Sequence, residues 1–444
     1  MSSIEVASSL STYANYMVAS QEFEPGSGWN YGFLKEVNSS TKSIDLGKLI
    51  VKYFKDYYDE KKNINGLSLS LIKLDKVENV VNYLNNLFKQ VDRNLTIDFS
   101  KISRSRSSSK SFGRISGNEY HYDLVDLIDL IDNLPDSYSK EKNSLKTAVN
   151  DIVIYQETDL ENTNGISIYF PYENKKEIVE NMKSYQEIDF AASYYDFISD
   201  FSSELIGKEP SNWNLTKSKL TSSEDGEVSI ELPVNVAQNY SKAEYIIFEK
   251  NEDNYFTPIF NGSDVTLKDN ILSTKIEKKS LVVNTSQGDK MYLTAIESER
   301  GIDFVKYYIP GMLSRFNEES FDIDVMAVYL EFVVDEEHPK GYVANVYPLD
   351  VNENYTYSKN EIAIREWDSL DLLSSKYKIL DEKGKYTPNW IASEEILRVE
   401  IPTNEELNIE FQDLDISNEY YCIFRVKDSQ GNAYLSNIVK INNW

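Results

Sequence analysis

Two periodicities divide the chain. Over residues 1–207 apolar positions recur at helical spacing between short apolar runs; over 208–444 they alternate in twos. Ser3 can cap a helix opening at Ile4, with Ile4, Ala7 and Leu10 on one face, and an apolar strand follows at Tyr16–Ala19. Leu46, Leu49, Ile50, Tyr53, Phe54 and Tyr57 form the stripe of a long amphipathic helix, and Leu67, Leu69 and Leu71 then alternate with Ser68 and Ser70. Val77, Val80, Val81, Leu84, Leu87, Phe88 and Val91 follow the i, i+3, i+4, i+7 rule, with Asp75 and Glu78 at capping-box spacing ahead of them. Strand, helix, strand, helix in this order predicts a parallel sheet with covering helices.

Residues 101–114, serine-rich and locally basic, predict an exposed loop whose arginines and lysines invite cleavage after basic residues. In residues 123–132, Asp123, Asp126, Asp129 and Asp132 predict the solvated face of a helix whose apolar face holds Leu124, Leu127, Ile128 and Ile131. A strand at 152–155, a turn at Asn162-Thr-Asn-Gly165, a strand ended by Pro171 and helices near 174–184 and 190–206 complete the first part. Strands at 227–232, 243–248, 290–296, 324–333, 341–347, 396–401, 420–426 and 433–441 predict a β-rich region of one or two antiparallel sandwich-like domains with an immunoglobulin-like end.

A formal net charge of -27 argues against nucleic acid and anionic membranes as partners, and no apolar run reaches the length of a membrane span. The one cysteine, Cys422, excludes an internal disulfide and sits among Tyr420, Phe424 and Val426 as a buried structural residue would. The two histidines read as local structure: His121 at the entry to the aspartate-rich segment, His338 at a turn before Pro339. Neither pairs with a cysteine at a spacing that suggests catalysis, and no metal-ligand spacing stands out. The acids at 335–337 and 405–410 read as solvated loops, with calcium binding the sharper alternative.

The strand at Tyr16–Ala19 runs into a loop with two acids, Glu22 and Glu24, a turn of Pro25, Gly26 and Gly28, and then Trp29. Acids at a strand end suit a cationic ligand. Ile4-Glu-Val-Ala7, this Tyr16-to-Trp29 stretch, Leu67-Ser-Leu-Ser-Leu-Ile72 and Gly165-Ile-Ser-Ile-Tyr-Phe-Pro-Tyr172 together resemble the clostripain family of cysteine endopeptidases over about 200 residues. The resemblance implies a caspase-like α/β fold and Cys-His cleavage after arginine or lysine of a basic peptide or protein. It implies that Ala19, Ser20, Glu22, Glu24 and Trp29 line the pocket for the basic side chain; Asn30 stands where close relatives carry aspartate.

The family's nucleophile lies just before the residues that match Ser2 onward, and its histidine lies further upstream. The resemblance therefore implies a chain that begins after the catalytic cysteine, lacks both catalytic residues and is inactive alone. It also implies calcium use and an extracellular intact relative, against a cytoplasmic product if Met1 is the true start. The alternative is a non-catalytic remnant that binds peptides or glycans through its β region; a third reading has the chain pair with a separate N-terminal fragment.

Overall fold

In a computed structural model of the chain, residues 2–61, 64–114, 121–250, 255–276, 278–284, 290–317, 321–348, 362, 364, 368–380, 386–400 and 409–441 are described. The chain divides into two units, 1–210 with 429–431, and 211–428 with 432–444.

The first unit mixes helices with two small sheets. Its elements are α1 (Ile4–Leu10), β1 (Tyr16–Ala19), α2 (Ser43–Lys61), β2 (Ser68–Lys73), α3 (Val77–Arg93), α4 (Leu95–Ser108), β3 (Ser111–Arg114), β4 (His121–Asp126), α5 (Leu127–Asn133), α6 (Ser139–Ile152), β5 (Val153–Thr158), β6 (Ser167–Tyr169), α7 (Ile178–Glu187) and α8 (Ala192–Gly207). Ser3 caps α1, its Oγ accepting from the Val6 N–H at 3.3 Å. The stripe of α3 is buried at Val77, Val80, Leu84, Leu87, Phe88 and Val91, with Phe88 packed on Tyr194 and Phe197 of α8. Val51, Phe54 and Tyr58 of α2 bury against Leu67, Leu69 and Leu71. Gly47 permits that approach, since a Cβ there would lie 2.5 Å from the Leu71 side chain.

Four expectations are corrected. Sheets β1-β2-β5 and β3-β4-β6 are antiparallel at every pairing, with Tyr16 opposite Lys73 and Ser68 opposite Thr158, so the incomplete parallel sheet is not what these strands build. The one parallel pairing among this unit's described residues is the isolated bridge Ser3–Ser167. Strand–helix–strand order implies parallel pairing only where the helix alone makes the crossover; between β1 and β2 the chain also runs through the long segment 20–42, and between β2 and β5 it runs through four helices and two strands. The Asp75–Glu78 capping box does not form: a 3-10 turn occupies Leu74–Lys76, and α3 starts at Val77 without a side-chain cap.

Residues 101–114 are not a loop but the second half of α4 and then β3. The serines fit the helix by returning hydroxyls to the backbone one turn back, Ser105 Oγ to Lys101 O at 2.9 Å and Ser109 Oγ to Ser105 O at 2.6 Å. Arg106 is fully buried, donating to Asp123 Oδ1 at 3.0 Å and to the Phe170 carbonyl at 2.9 Å. It is closed to a protease acting on the folded chain. The aspartates of 123–132 do not share a solvated face either. Asp123 and Asp126 are buried on β4, and α5 begins only at Leu127, capped by Asp126.

The second unit is nearly all strand: β7 (Leu220–Ser222), β8 (Glu227–Glu231), the helix α9 (Val234–Asn239), β9 (Tyr240–Lys250), β10 (Phe256–Gly262), β11 (Thr266–Lys268), β12 (Ile271–Lys275), β13 (Lys279–Asn284), β14 (Lys290–Leu293), β15 (Ala295–Arg300), β16 (Phe304–Asn317), β17 (Asp322–Asp335), β18 (Tyr342–Pro348), β19 (Ser369–Leu380), β20 (Tyr386–Glu400), β21 (Ile409–Asp413), β22 (Glu419–Asp428), β23 (Ala433–Leu435) and β24 (Val439–Lys440). An 11-stranded sheet runs β18-β17-β16-β15-β10-β9-β22-β23, with β19, β20 and β24 attached, beside smaller sheets β11-β12-β8-β7 and β14-β13-β21. All three contribute to one core, which holds Ile230 and Leu272, Leu281 and Ile409, and Ile247, Phe332 and Phe424. Strand β22, from the stretch read as immunoglobulin-like, lies between β9 and β23 within the large sheet. Among the described residues no helix is long and apolar enough to cross a membrane.

One buried acid in the first unit lacks full pairing. Glu5 Oε1 accepts from the Tyr169 N–H at 3.0 Å and the Tyr185 hydroxyl at 2.9 Å, while Oε2 has no partner. Burial pushes its carboxyl above the ordinary value of 4.5, outweighing the bonds that pull it down. The folded state therefore favours neutral Glu5; its stabilisation is present below 4.5 and is lost as pH rises through the elevated folded value. Glu5→Gln is expected to stabilise the protein at about pH 7 and to lose that advantage at about pH 4. Urea titrations of both proteins at the two pH values test this, and a pH-independent gap would show that Glu5 titrates normally.

Candidate functional site

Strand β1 delivers the chain into the loop 20–30, and polar contacts fix that loop residue by residue. Ser20 donates its hydroxyl to the Glu22 carbonyl at 2.7 Å, and its own carbonyl accepts from the Ser2 N–H at 2.5 Å. Gly28 takes a left-handed φ of +69°, which favours glycine, and its N–H closes a turn on the Pro25 carbonyl at 3.0 Å. Tyr58 of α2 holds that turn from beneath, donating to the Gly28 carbonyl at 2.7 Å. Asn30, in the position where the resemblance implies aspartate, accepts from the Gly32 N–H at 2.9 Å and caps the 3-10 turn Tyr31–Glu36.

Gln21 points inward and is completely buried. It donates to Asp126 Oδ2 at 2.9 Å and accepts from the Gly165 N–H at 2.6 Å. Asp126 also accepts from the Asn164 backbone N–H at 2.6 Å, the Asn164 side chain at 2.9 Å and the Asp129 N–H at 2.9 Å. Burial raises the Asp126 carboxyl above its ordinary value while these donors act the other way. Ser2 adds a second tie: its hydroxyl reaches the Gly165 carbonyl at 2.8 Å and its carbonyl accepts from the Ser167 N–H at 2.9 Å. No pattern in the sequence marks Gln21 or Asn164. The turn at Asn162-Thr-Asn-Gly165 was the available signal, and it gives no partner.

The two acids of the loop are held differently. Glu22 is buried, its Oε1 accepting from the Phe23 N–H at 2.7 Å and its Oε2 from the Gly113 N–H at 3.3 Å. Glu24 is half-buried and accepts from the indole N–H of Trp29 at 2.6 Å. Ala19 is half-buried at the end of β1, and Ser20 is buried beneath the loop. The five residues singled out in the sequence thus lie along one stretch, with Glu22 and Glu24 as its two carboxylates and Trp29 bonded to one of them. Two anchored carboxylates can take a guanidinium or ammonium through charge-assisted hydrogen bonds.

A nucleophile is not found in this stretch. Cys422 is fully enclosed in β22, its thiol near the Ile423 carbonyl at 3.6 Å, and burial pushes the thiol's pKa up, away from thiolate. His338 sits at the turn between β17 and β18, its Nδ1 2.9 Å from Asp335 Oδ1 and its ring against Tyr342. The backbone of His121 pairs with Arg114 between β4 and β3; its side chain lies outside the described residues. No group of three or more metal-ligating side chains occurs among the described residues. Asp335 is engaged by His338, and Glu410 by Lys340 at 2.9 Å and Gln412 at 2.7 Å, whereas positions 405 and 406 lie outside the described residues.

Residues 1–214 match the model of the clostripain family. Similar solved structures include an inactive zymogen C11 protease from Parabacteroides distasonis, 21% identical, covering 41% of this chain and 54% of that one at a TM-score of 0.33. A cysteine protease from B. fragilis is 16% identical, covering 46% of this chain and 85% of that one, also at a TM-score of 0.33. A clostripain from Bacteroides thetaiotaomicron bound to a peptide inhibitor is 15% identical, covering 38% and 73% at a TM-score of 0.28. The chain thus spans about half the length of the Parabacteroides protein. No curated protein matches it.

Gln21→Ala removes one donor from Asp126 and the acceptor of the Gly165 N–H. The expected cost is about 1–3 kcal/mol, with faster hydrogen exchange at Gly165. Unchanged protection of that amide would show that the loop is held by other means.

Proposed function

We propose that residues 1–214, a clostripain-family segment, form part of a cysteine-endopeptidase cleft of caspase-like fold, the wall that receives an arginine or lysine side chain. The observation that carries this is the pair of anchored carboxylates, Glu22 and Glu24, on one loop of the family-matched segment. In the complete reaction a thiolate attacks the basic residue's own carbonyl, an imidazole passes the thiol's proton to the leaving amine, and water then hydrolyses the thioester to restore the thiol. On this reading the chain lacks the catalytic cysteine and histidine, and the enclosure of its one thiol in a strand supports that for the cysteine. The chain by itself binds basic peptides through the loop and does not hydrolyse them.

Binding of a short arginine-containing peptide, measured by calorimetry, is expected to weaken roughly tenfold or more when Glu22 or Glu24 is changed to Gln, since a charge-assisted bond contributes about 1.5–3 kcal/mol. An uncharged analogue of the same peptide is expected to be indifferent to both changes. Arginyl and lysyl peptide amides are expected to remain uncut. Cleavage by the 444-residue chain that disappears in Cys422→Ala would overturn the proposal.

A further inference from the structure

The large sheet of the second unit is apolar on both faces. One face belongs to the shared core. The other buries Phe248, Phe256 and Ile423, with Ile246, Tyr377, Tyr421 and Leu435 packed beside them. A cavity of about 560 Å3 opens there, within the range of small-molecule sites. Phe248 and Leu435, with Leu293 and Ile309 from the shared core, give it apolar walls, Ile296 and Ala433 stand exposed among its lining residues, and among the described residues Arg425 is the one charged side chain that lines it.

Arg425 lies in a local excess of positive charge. Its Nε and Nη2 reach Glu244 Oε2 at 2.7 and 2.5 Å across the β9–β22 pair. Lys242 lies 2.9 Å from the other oxygen of Glu244, and Lys427 acts on the same carboxylate. Burial works against the charge on Glu244, yet the three cations together draw its carboxyl down to about 2. Three cations thus surround one carboxylate, in a chain whose formal net charge is -27. A guanidinium has five N–H donors, and Glu244 engages two of its nitrogens, so donors remain for a second anion.

We propose that this cavity binds a small amphiphilic carboxylate, with its hydrocarbon body against Phe248 and Leu435 and its carboxylate on Arg425. Among the described residues, Asn261, Thr294 and Tyr377 are the other polar side chains of a lining that is otherwise apolar. The inference stands independently of the peptide-binding role proposed for the first unit.

Calorimetry of the full chain with dodecanoate below its micelle concentration tests it, with dodecyltrimethylammonium as the opposite-charge control. Saturable dodecanoate binding is expected. Arg425→Leu should weaken it roughly tenfold or more, while Arg425→Lys retains most of the affinity. Ala433→Trp, an exposed position, should block binding without disturbing the core; circular dichroism and urea unfolding confirm that each variant is folded. Absence of saturable binding, equal binding of the cationic amphiphile, or dodecanoate affinity unchanged in both Arg425→Leu and Ala433→Trp would each overturn the proposal.

Discussion

A buried carboxylate survives inside a protein only if enough donors converge on it. Asp126 is one of several in the first unit, and its donors come from three places: Gln21 in the loop after β1, Asn164 in the turn before β6, and the first turn of α5. Each segment alone would be a surface connection. Tied to one buried charge, they acquire a common position. Because Gln21 faces inward, the acid that follows it can be anchored by the Phe23 and Gly113 amides, while Glu24 meets Trp29. The geometry of the candidate cleft wall follows from a bond network that does not touch a ligand.

Ser2 extends the same logic to the two sheets. Its N–H meets the carbonyl at the end of β1 and its carbonyl meets the first N–H of β6, so one buried residue links β1-β2-β5 to β3-β4-β6. Arg106 serves the other side of the second sheet. Its guanidinium joins α4 to Asp123 of β4 and to the Phe170 carbonyl just after β6. Truncating either partner of such a pair leaves a buried charge uncompensated, which is the costly direction.

What was legible in the sequence was period. The stripe of α3, the alternation of β2 and the cap at Ser3 lie where the spacing put them, and the stretches read as strands at 227–232, 243–248, 324–333, 341–347 and 420–426 fall on strands of the second unit, whereas β10, β16 and β19 were not read. What was not legible was partnership. The aspartates of 123–132 have helical spacing, and nothing in the chain tells that Asp126 will be met by Gln21 more than a hundred positions earlier. The serines of 101–114 suggest a loop by composition, but hydroxyls can bond back to a helix's own carbonyls, and Arg106 has an acid and a carbonyl waiting in the interior. Strand direction failed for a similar reason, because it depends on where the intervening segments run, which the spacing of apolar residues does not record. Glu22, Glu24 and Trp29 stood out as a strand-end loop suited to a cation, and the resemblance gave them a role; that Glu24 and Trp29 bond to each other had to come from the fold.

The enclosure of Cys422 has a consequence of its own. A solitary thiol with no exposed surface cannot react with an alkylating reagent while the second unit is closed. Every labelled molecule has therefore opened at β22, a strand paired on both sides, with β9 and with β23 and β24. The chain carries a built-in clock: the rate at which its one sulfur becomes modified counts the openings of that sheet, with no engineered probe and no second thiol to confuse the record.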